Sequence, residues 1–254
     1  MFVPRKEPFF YPGNPIYEED PAMREMIYKR KSVRWYRPEP LRKEVLAGIQ
    51  AKIDEINPLF SDAEFSVKLI DTPSGRKGSA PHHLIFCGEE KEAVLENIGF
   101  VGQHLSLYLS SIGVGSFWKM TKPSEAASGV DSPYPIVITM AFGTPMEPLY
   151  REPKEFKRKS LSVISEGDDP RLEAARLAPS AMNEQDWFFS ADEGGLHCYR
   201  KKHGMLAAAM KNTLNCIDMG IVLCHIAVKS DEFRFEKISD APVRQGYLYV
   251  GTVI

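Results

Sequence analysis

The chain has 254 residues, 43% of them hydrophobic and 26% charged, with 32 Lys and Arg against 34 Asp and Glu, a formal charge of -2 and a pI near 6.3. That balance describes an ordinary globular chain with a sizeable core, and it lacks the basic face by which a dedicated nucleic-acid binder neutralises phosphates. No run reaches the ~18 apolar residues of a membrane span, and MFVPRKEPFFYPGNPIYEED at the start lacks the apolar core of a signal peptide, so the expected location is cytoplasmic, with no nucleic-acid or membrane partner.

Residues 1–21 carry five prolines and several aromatics and read as an extended arm laid on a surface. A helix is expected from Pro21 to about Val33, with Pro at its first position and Lys29, Arg30 and Lys31 in its last turn, where cations suit the negative end of the dipole. Pro38 and Pro40 break the chain before a second helix, Leu41 to Ile56. A loop over 57–80 containing Pro73, Gly75 and Gly78 leads to the apolar strand HLIFC. From 91 to 112, Val94, Ile98, Val101, Leu105, Tyr108 and Ile112 recur at steps of three and four, which predicts a long, mostly buried helix closed by the glycines of GVG at 113–115. PIVITMAFGTP then forms a buried strand. After about residue 170 come a helix (RLEAARLA), a Pro-containing loop, a strand hairpin (WFFSA, LHCYR), a long helix from 205 to about 226, and a final strand, YLYVGTVI.

Cys87, Cys198, Cys216 and Cys224 include no Cys-x-x-Cys pair and are expected as reduced thiols. His197, Cys198 and His203, and Cys224 with His225, match no zinc spacing, so no metal is expected.

Arg-Lys-Ser occurs twice, at 30–32 and 158–160, ahead of two similar series of elements. PHHLIF from Pro81 registers over DWFFSA from Asp186, Ile112-Gly113-Val114 over Met219-Gly220-Ile221, and Gly143-Thr144 over Gly251-Thr252, at offsets of 105 to 108, with the 57–80 loop as an insertion in the first copy. The chain therefore divides into the arm (1–21), a first half (22–157) and a second, diverged half (158–254), forming one compact pseudo-dimer around two long helices.

Three motifs carry a family resemblance. They are Arg-x-Ser-x-Arg after the first helix (Arg30, Ser32, Arg34), Gly-x-Gly-Ser-x-Trp closing the long helix (113–118), and Ala-Pro-Ser-x-x-Asn-x-Gln-x-Trp-x-Phe (Ala178 to Phe189). Together they resemble the nitroreductase family of FMN flavoproteins, in its fused, single-chain form. The resemblance implies an α+β, nitroreductase-like fold, internally duplicated, with mixed or antiparallel sheets. It also implies that the backbone of Trp118, Lys119 and Met120 lies along a flavin, and that Arg158 and Lys159 join the phosphate. Asp186 stands where the family usually has Pro, which is expected to loosen the loop.

Residue chemistry agrees. Arg30, Lys31, Ser32 and Arg34 offer two guanidiniums, an ammonium and a hydroxyl to a dianionic phosphate, although the same residues would also serve as a solvated cationic helix cap. Pro179, Ser180 and Asn183 form a loop whose amide supplies both donor and acceptor to a flavin, or an ordinary Asn turn. Gly115 and Ser116 read as helix-cap residues, Phe117 as packing, and His82 and His83 as structural. No Ser-His-Asp order, Walker loop or carboxylate pair stands out, as suits an enzyme whose cofactor carries the electrons. The expected function is FMN-dependent transfer of hydride from NADH or NADPH to a nitroaromatic, quinone or similar small acceptor. The alternatives are a flavin-fragmenting or dehalogenating specialist of the same fold, or a non-catalytic FMN-binding protein. The second cleft lacks an Asn loop, and Ser162 stands where a match to Arg34 would be, so one FMN per chain is expected, in a monomer or loose homodimer.

Overall fold

The computed structural model describes residues 21–72, 78–120, 130–204 and 208–254. The arm, apart from Pro21, lies outside the described residues. The first half runs through α1 (Pro21–Lys29), α2 (Lys43–Glu55), β1 (Phe65–Asp71), β2 (His82–Gly88), α3 (Glu92–Ser111), β3 (Gly115–Lys119) and β4 (Ile136–Gly143). The rest comprises α4 (Leu161–Ile164), β5 (Ser165–Glu166), α5 (Leu172–Leu177), β6 (Trp187–Asp192), β7 (Gly195–Lys201), α6 (Ala208–Lys229), β8 (Phe235–Glu236) and β9 (Tyr247–Val253). The described strands make an antiparallel sheet in the order β1-β2-β4-β3 and a second in the order β5-β6-β7-β9-β8, in which only β5 and β6 run parallel.

The core is the crossing of α3 and α6. α3 is apolar around most of its circumference and so is buried on nearly every face. Two glycines let the axes close. A Cβ at Gly99 would lie 2.0 Å from the Ile217 carbonyl oxygen, and one at Gly220 would lie 2.0 Å from that of Glu96. The contact is reciprocal, since each glycine meets the residue three positions before the other, and the pairs are related by 121 positions in sequence. The same spacing relates two loop clamps. The Phe60 N–H donates to Asn97 Oδ1 on α3 at 2.9 Å, and the Ala181 N–H donates to Asp218 Oδ1 on α6 at 3.0 Å. Strand order repeats as well: β6-β7-β9-β8 follows β1-β2-β4-β3, with a bulge at Phe86/Cys87 in one and at Cys198/Tyr199 in the other.

This geometry corrects the residue registration read from sequence. By strand order β2 sits where β7 does rather than the WFFSA strand β6, and the glycine contacts and loop clamps match the two helices at a spacing of 121 residues rather than 107. The two helix registers differ by 14 residues, close to four turns, so both superpose apolar faces and periodicity cannot separate them. β1 lies within the 57–80 segment expected as a loop, and by strand order it sits where β6 does. In the sheet order β8 takes the place of β3.

Local expectations shift too. α1 stops at Lys29, and residues 30–36 are extended because other segments satisfy their backbone groups: Arg30 bridges Tyr150, and the Val33 N–H donates to the Ser116 carbonyl at 3.0 Å. Gly113, at φ +81°, caps α3, whereas Gly115 and Ser116 already belong to β3.

Candidate functional site

A cleft of about 810 Å³ opens between the extended segment at 32–34, β3, the 151–158 segment, the loop after α5, and α6. One wall is apolar: Leu214, Ile217 and Ile221 recur along one face of α6, with Ile138 of β4 opposite. The other end is cationic, where Arg34, Arg151 and Arg158 line the space with Ser32.

Arg30 lies behind this end. Its side chain is 4% exposed, and its Nε and Nη2 have no hydrogen-bond partner. Burial, reinforced by the charges of Arg151 and Arg158, pushes its pKa down to about 9. Arg158 is pushed down to about 10 by burial and by Arg151 and Arg176, and Arg151 is lowered chiefly by burial. The Nε of Arg151 is likewise buried and unpartnered. Such a cluster of desolvated cations is costly unless an anion joins it. Glu155 lines the same end and raises Arg151, but its carboxylate also takes the Glu152 N–H at 2.6 Å.

The loop Pro179–Asp186 is held under backbone strain. Met182, Asn183 and Gln185 adopt φ of +49°, +59° and +46°, the left-handed region that costs L-residues energy. Several bonds over-determine it. Gln185 Nε2 donates to the Arg176 carbonyl at 2.9 Å, its Oε1 accepts the Lys159 N–H at 2.7 Å, and its own N–H reaches Ser180 Oγ at 3.0 Å. Asn183 Nδ2 donates to the Lys157 carbonyl at 2.8 Å, and its Oδ1 accepts from Arg158. Asp186 tightens this loop, contrary to the expectation that it loosens it. Its carboxylate is 11% exposed and lies 3.5–3.7 Å from Lys159, Lys201 and His203.

Trp118 is set from behind. Its ring fills a slot opened by Gly102, where a Cβ would lie 2.2 Å from it, and packs on Phe86 at 5.3 Å between centroids. The indole N–H donates to Gln103 Oε1 at 3.4 Å, the Gln103 amide donates to His225 Nε2 at 2.9 Å, and His225 Nδ1 donates to the Ala174 carbonyl at 3.0 Å. Burial pushes His225 down to about 3, so the neutral ring accepts at Nε2.

Of the residues singled out from sequence, Ser32, Arg34, Trp118, Lys119 and Met120 line the cleft from the first half, and Arg158, Pro179, Ser180 and Asn183 line it from the second. Arg30 is buried behind them. Lys31 instead faces Glu147 at 3.8 Å, and the Lys159 ammonium turns to the Gln185 carbonyl at 3.2 Å and to Asp186. His82 is structural, bonded to Asp71 at 2.7 Å and to the Leu41 N–H at 2.9 Å.

Against known proteins, residues 22–230 match a family model described as "Putative TM nitroreductase". The chain belongs to this nitroreductase family. A Thermotoga maritima crystal structure described as a "putative nitroreductase" is similar over 86% of this chain and 90% of its own, with 21% identity and a TM-score of 0.62. A Parabacteroides distasonis "Putative NADH dehydrogenase/NAD(P)H nitroreductase" matches 59% of this chain and 100% of its own, with 17% identity and a TM-score of 0.45. An "FMN-dependent Nitroreductase" from Clostridium difficile R20291 matches 53% and 96%, with 16% identity and a TM-score of 0.42. No curated protein matches. Among the described residues, no helix is long and apolar enough to cross a membrane.

Two residues of this nitroreductase-family cleft escape a reading by motif. Arg151 follows the same strand as Arg158, and its signal was a further arginine after the Gly-Thr-Pro stop. Asp218 is 6% exposed and lines the apolar wall, and burial, then Asp186 and Glu184, raise its pKa to about 8. Its signal was a lone acid within the apolar stretch LNCIDMGIVLC.

Proposed function

We propose that this chain is an FMN-dependent oxidoreductase that passes hydride from NADH or NADPH to a nitroaromatic, quinone or similar small acceptor. The observation that carries the reading is Arg30, a buried guanidinium with two unpartnered nitrogens beside Arg151 and Arg158. A phosphate dianion in the cleft would supply the counter-charge this cluster lacks, and the cleft volume falls within the range of cofactor pockets. When bound, FMN supplies the two-electron chemistry. Arg30, Arg34, Arg151, Arg158 and Ser32 would hold its phosphate, and the Trp118–Met120 segment and the Pro179–Asn183 loop would border its ring. Leu214, Ile217 and Ile221 exclude water from that end, which strengthens every polar contact made there.

The reading includes an internal duplication, supported by the repeated strand order, the reciprocal helix crossing and the two loop clamps. It also includes one FMN per chain, held between the two halves without a second subunit. On this reading, aromatic side chains occupy the corresponding place in the other half. Phe60 and Phe100 stand 121 residues before Ala181 and Ile221, and they join Phe233 and Phe235 in an aromatic cluster with centroids 6.1–6.4 Å apart. Purified protein should be yellow after incubation with FMN and should bleach anaerobically with NADH or NADPH. A yellow protein that resists both nicotinamides would point to a binding role, and a protein that retains no flavin would refute the reading.

A further inference from the structure

Asp218 is an oddity of the cleft wall. It is nine-tenths buried among Leu214, Ile217 and Ile221, yet its only hydrogen bond among the described residues comes from the Ala181 N–H, which its two oxygens share at 3.0 and 3.1 Å. Among the described residues no cation pairs with it, although Arg34, Lys119, Arg151, Lys157 and Arg158 line the same space. A carboxyl offers about four acceptor positions, or an O–H donor when neutral, and a buried polar group left so incomplete calls for a partner.

The other half shows what a purely structural clamp looks like. Asn97, 121 residues earlier, accepts from the Phe60 N–H at 2.9 Å and donates to the carbonyls of Phe60 and Ala63 at 2.8 and 3.1 Å. There the amide is fully used and the neighbouring space is filled by aromatic rings. In the open cleft the same clamp is a carboxyl with unused capacity.

We propose that Asp218, in its neutral form, is a hydrogen-bond donor of this cleft, directed at an acceptor oxygen of a planar ring lying against α6. The inference rests on the flavin reading. The oxygen belongs either to the pyrimidine edge of the flavin or to the carbonyl or nitro group of the second substrate. Burial keeps the carboxyl neutral at pH 7, and its pKa is raised to about 8 with Asp186 and Glu184 as the nearest like charges. Glu184 is balanced by Lys211 at 3.3 Å, Asp186 by Lys159, Lys201 and His203, and the Cys216 thiol on α6 is itself pushed up to about 12. Across the cleft, Lys119 and Arg158 face the same space. None of these partners is altered by Asp218→Asn, which keeps the acceptor for Ala181 and offers an amide donor that does not titrate.

The test is the FMN dissociation constant of the whole chain from pH 6.5 to 9, wild type against D218N, with thermal unfolding as a check that the variant folds. Ionisations of FMN itself are common to both proteins and cancel. If the flavin owns the oxygen, wild-type affinity falls about tenfold further than that of D218N between pH 7 and 9, the titrations of FMN and of Arg30 being common to both. If the second substrate owns it, both proteins bind FMN alike, and the KM for a p-benzoquinone shows that difference instead. Identical pH dependence of both quantities in the two proteins overturns the inference and leaves the flavin reading standing. Absence of FMN binding at every pH overturns both.

Discussion

Under the proposed function, in which the buried Arg30 guanidinium serves an anion that the protein alone does not supply, replacing it with Met separates stability from function. A pKa of about 9 instead of 12.5 means that its surroundings disfavour the charged form by roughly 5 kcal/mol, at 1.36 kcal/mol per pH unit, which sets the ceiling. Exchanging a buried charge for an apolar side chain of similar length stabilises by about 1–4 kcal/mol. Flavin-free Arg30→Met should therefore melt higher than wild type, by about 2–4 °C per kcal/mol for a chain of this size. The folded pKa lies below the unfolded one, so the penalty is fully present at neutral pH. It is relieved as pH rises through about 9, and the advantage of the variant should shrink there. FMN binding should move the other way. Loss of a charge-assisted bond to phosphate, about 1.5–3 kcal/mol, weakens affinity roughly tenfold to a hundredfold. The assays are thermal unfolding without flavin across pH 6 to 10, and a fluorescence titration with FMN. A variant that melts lower and binds FMN as tightly as wild type would show that Arg30 has a structural partner and no phosphate.

Flavin released from protein of known concentration should approach one FMN per chain; a ratio near two would mean that the aromatic cluster of Phe60, Phe100, Phe233 and Phe235 yields to a second flavin. Gln185→Ala removes both side-chain anchors of the strained loop and should destabilise by about 1–3 kcal/mol while weakening FMN binding, read by thermal unfolding and by faster hydrogen exchange over 181–186. Gly99→Ala places a methyl group against the Ile217 carbonyl and should abolish soluble expression or lower the melting temperature steeply. Gly113→Ala meets nothing within 4 Å and should cost only about 1 kcal/mol for its positive φ.

The sequence by itself determined what depends on neighbours along the chain. Helical periodicity located α3 and most of α6, and the apolar runs located β2, β4 and β9. The short motifs named nine of the twenty residues that line the cleft, because each of those motifs is contiguous. β1 was missed because FSVKLID is only half-buried in its edge position, so its alternation is weak and loop signals surround it. Only the tertiary structure decided pairing. The 107-residue helix register and the 121-residue spacing of the helix contacts present the same apolar face, and they are told apart by which backbone meets Gly99 and Gly220. Likewise, nothing local distinguishes Arg158, which turns into the cleft, from Lys159, which Asp186 and Gln185 draw away from it. Asp218 becomes a candidate only once Ala181, 37 residues earlier, is folded against it, and Trp118 is fixed by Gln103 and by His225, which lie 122 residues apart. A side chain's type and periodicity travel with the sequence, whereas its burial, charge state and partners belong to atoms that only folding brings within a few ångströms.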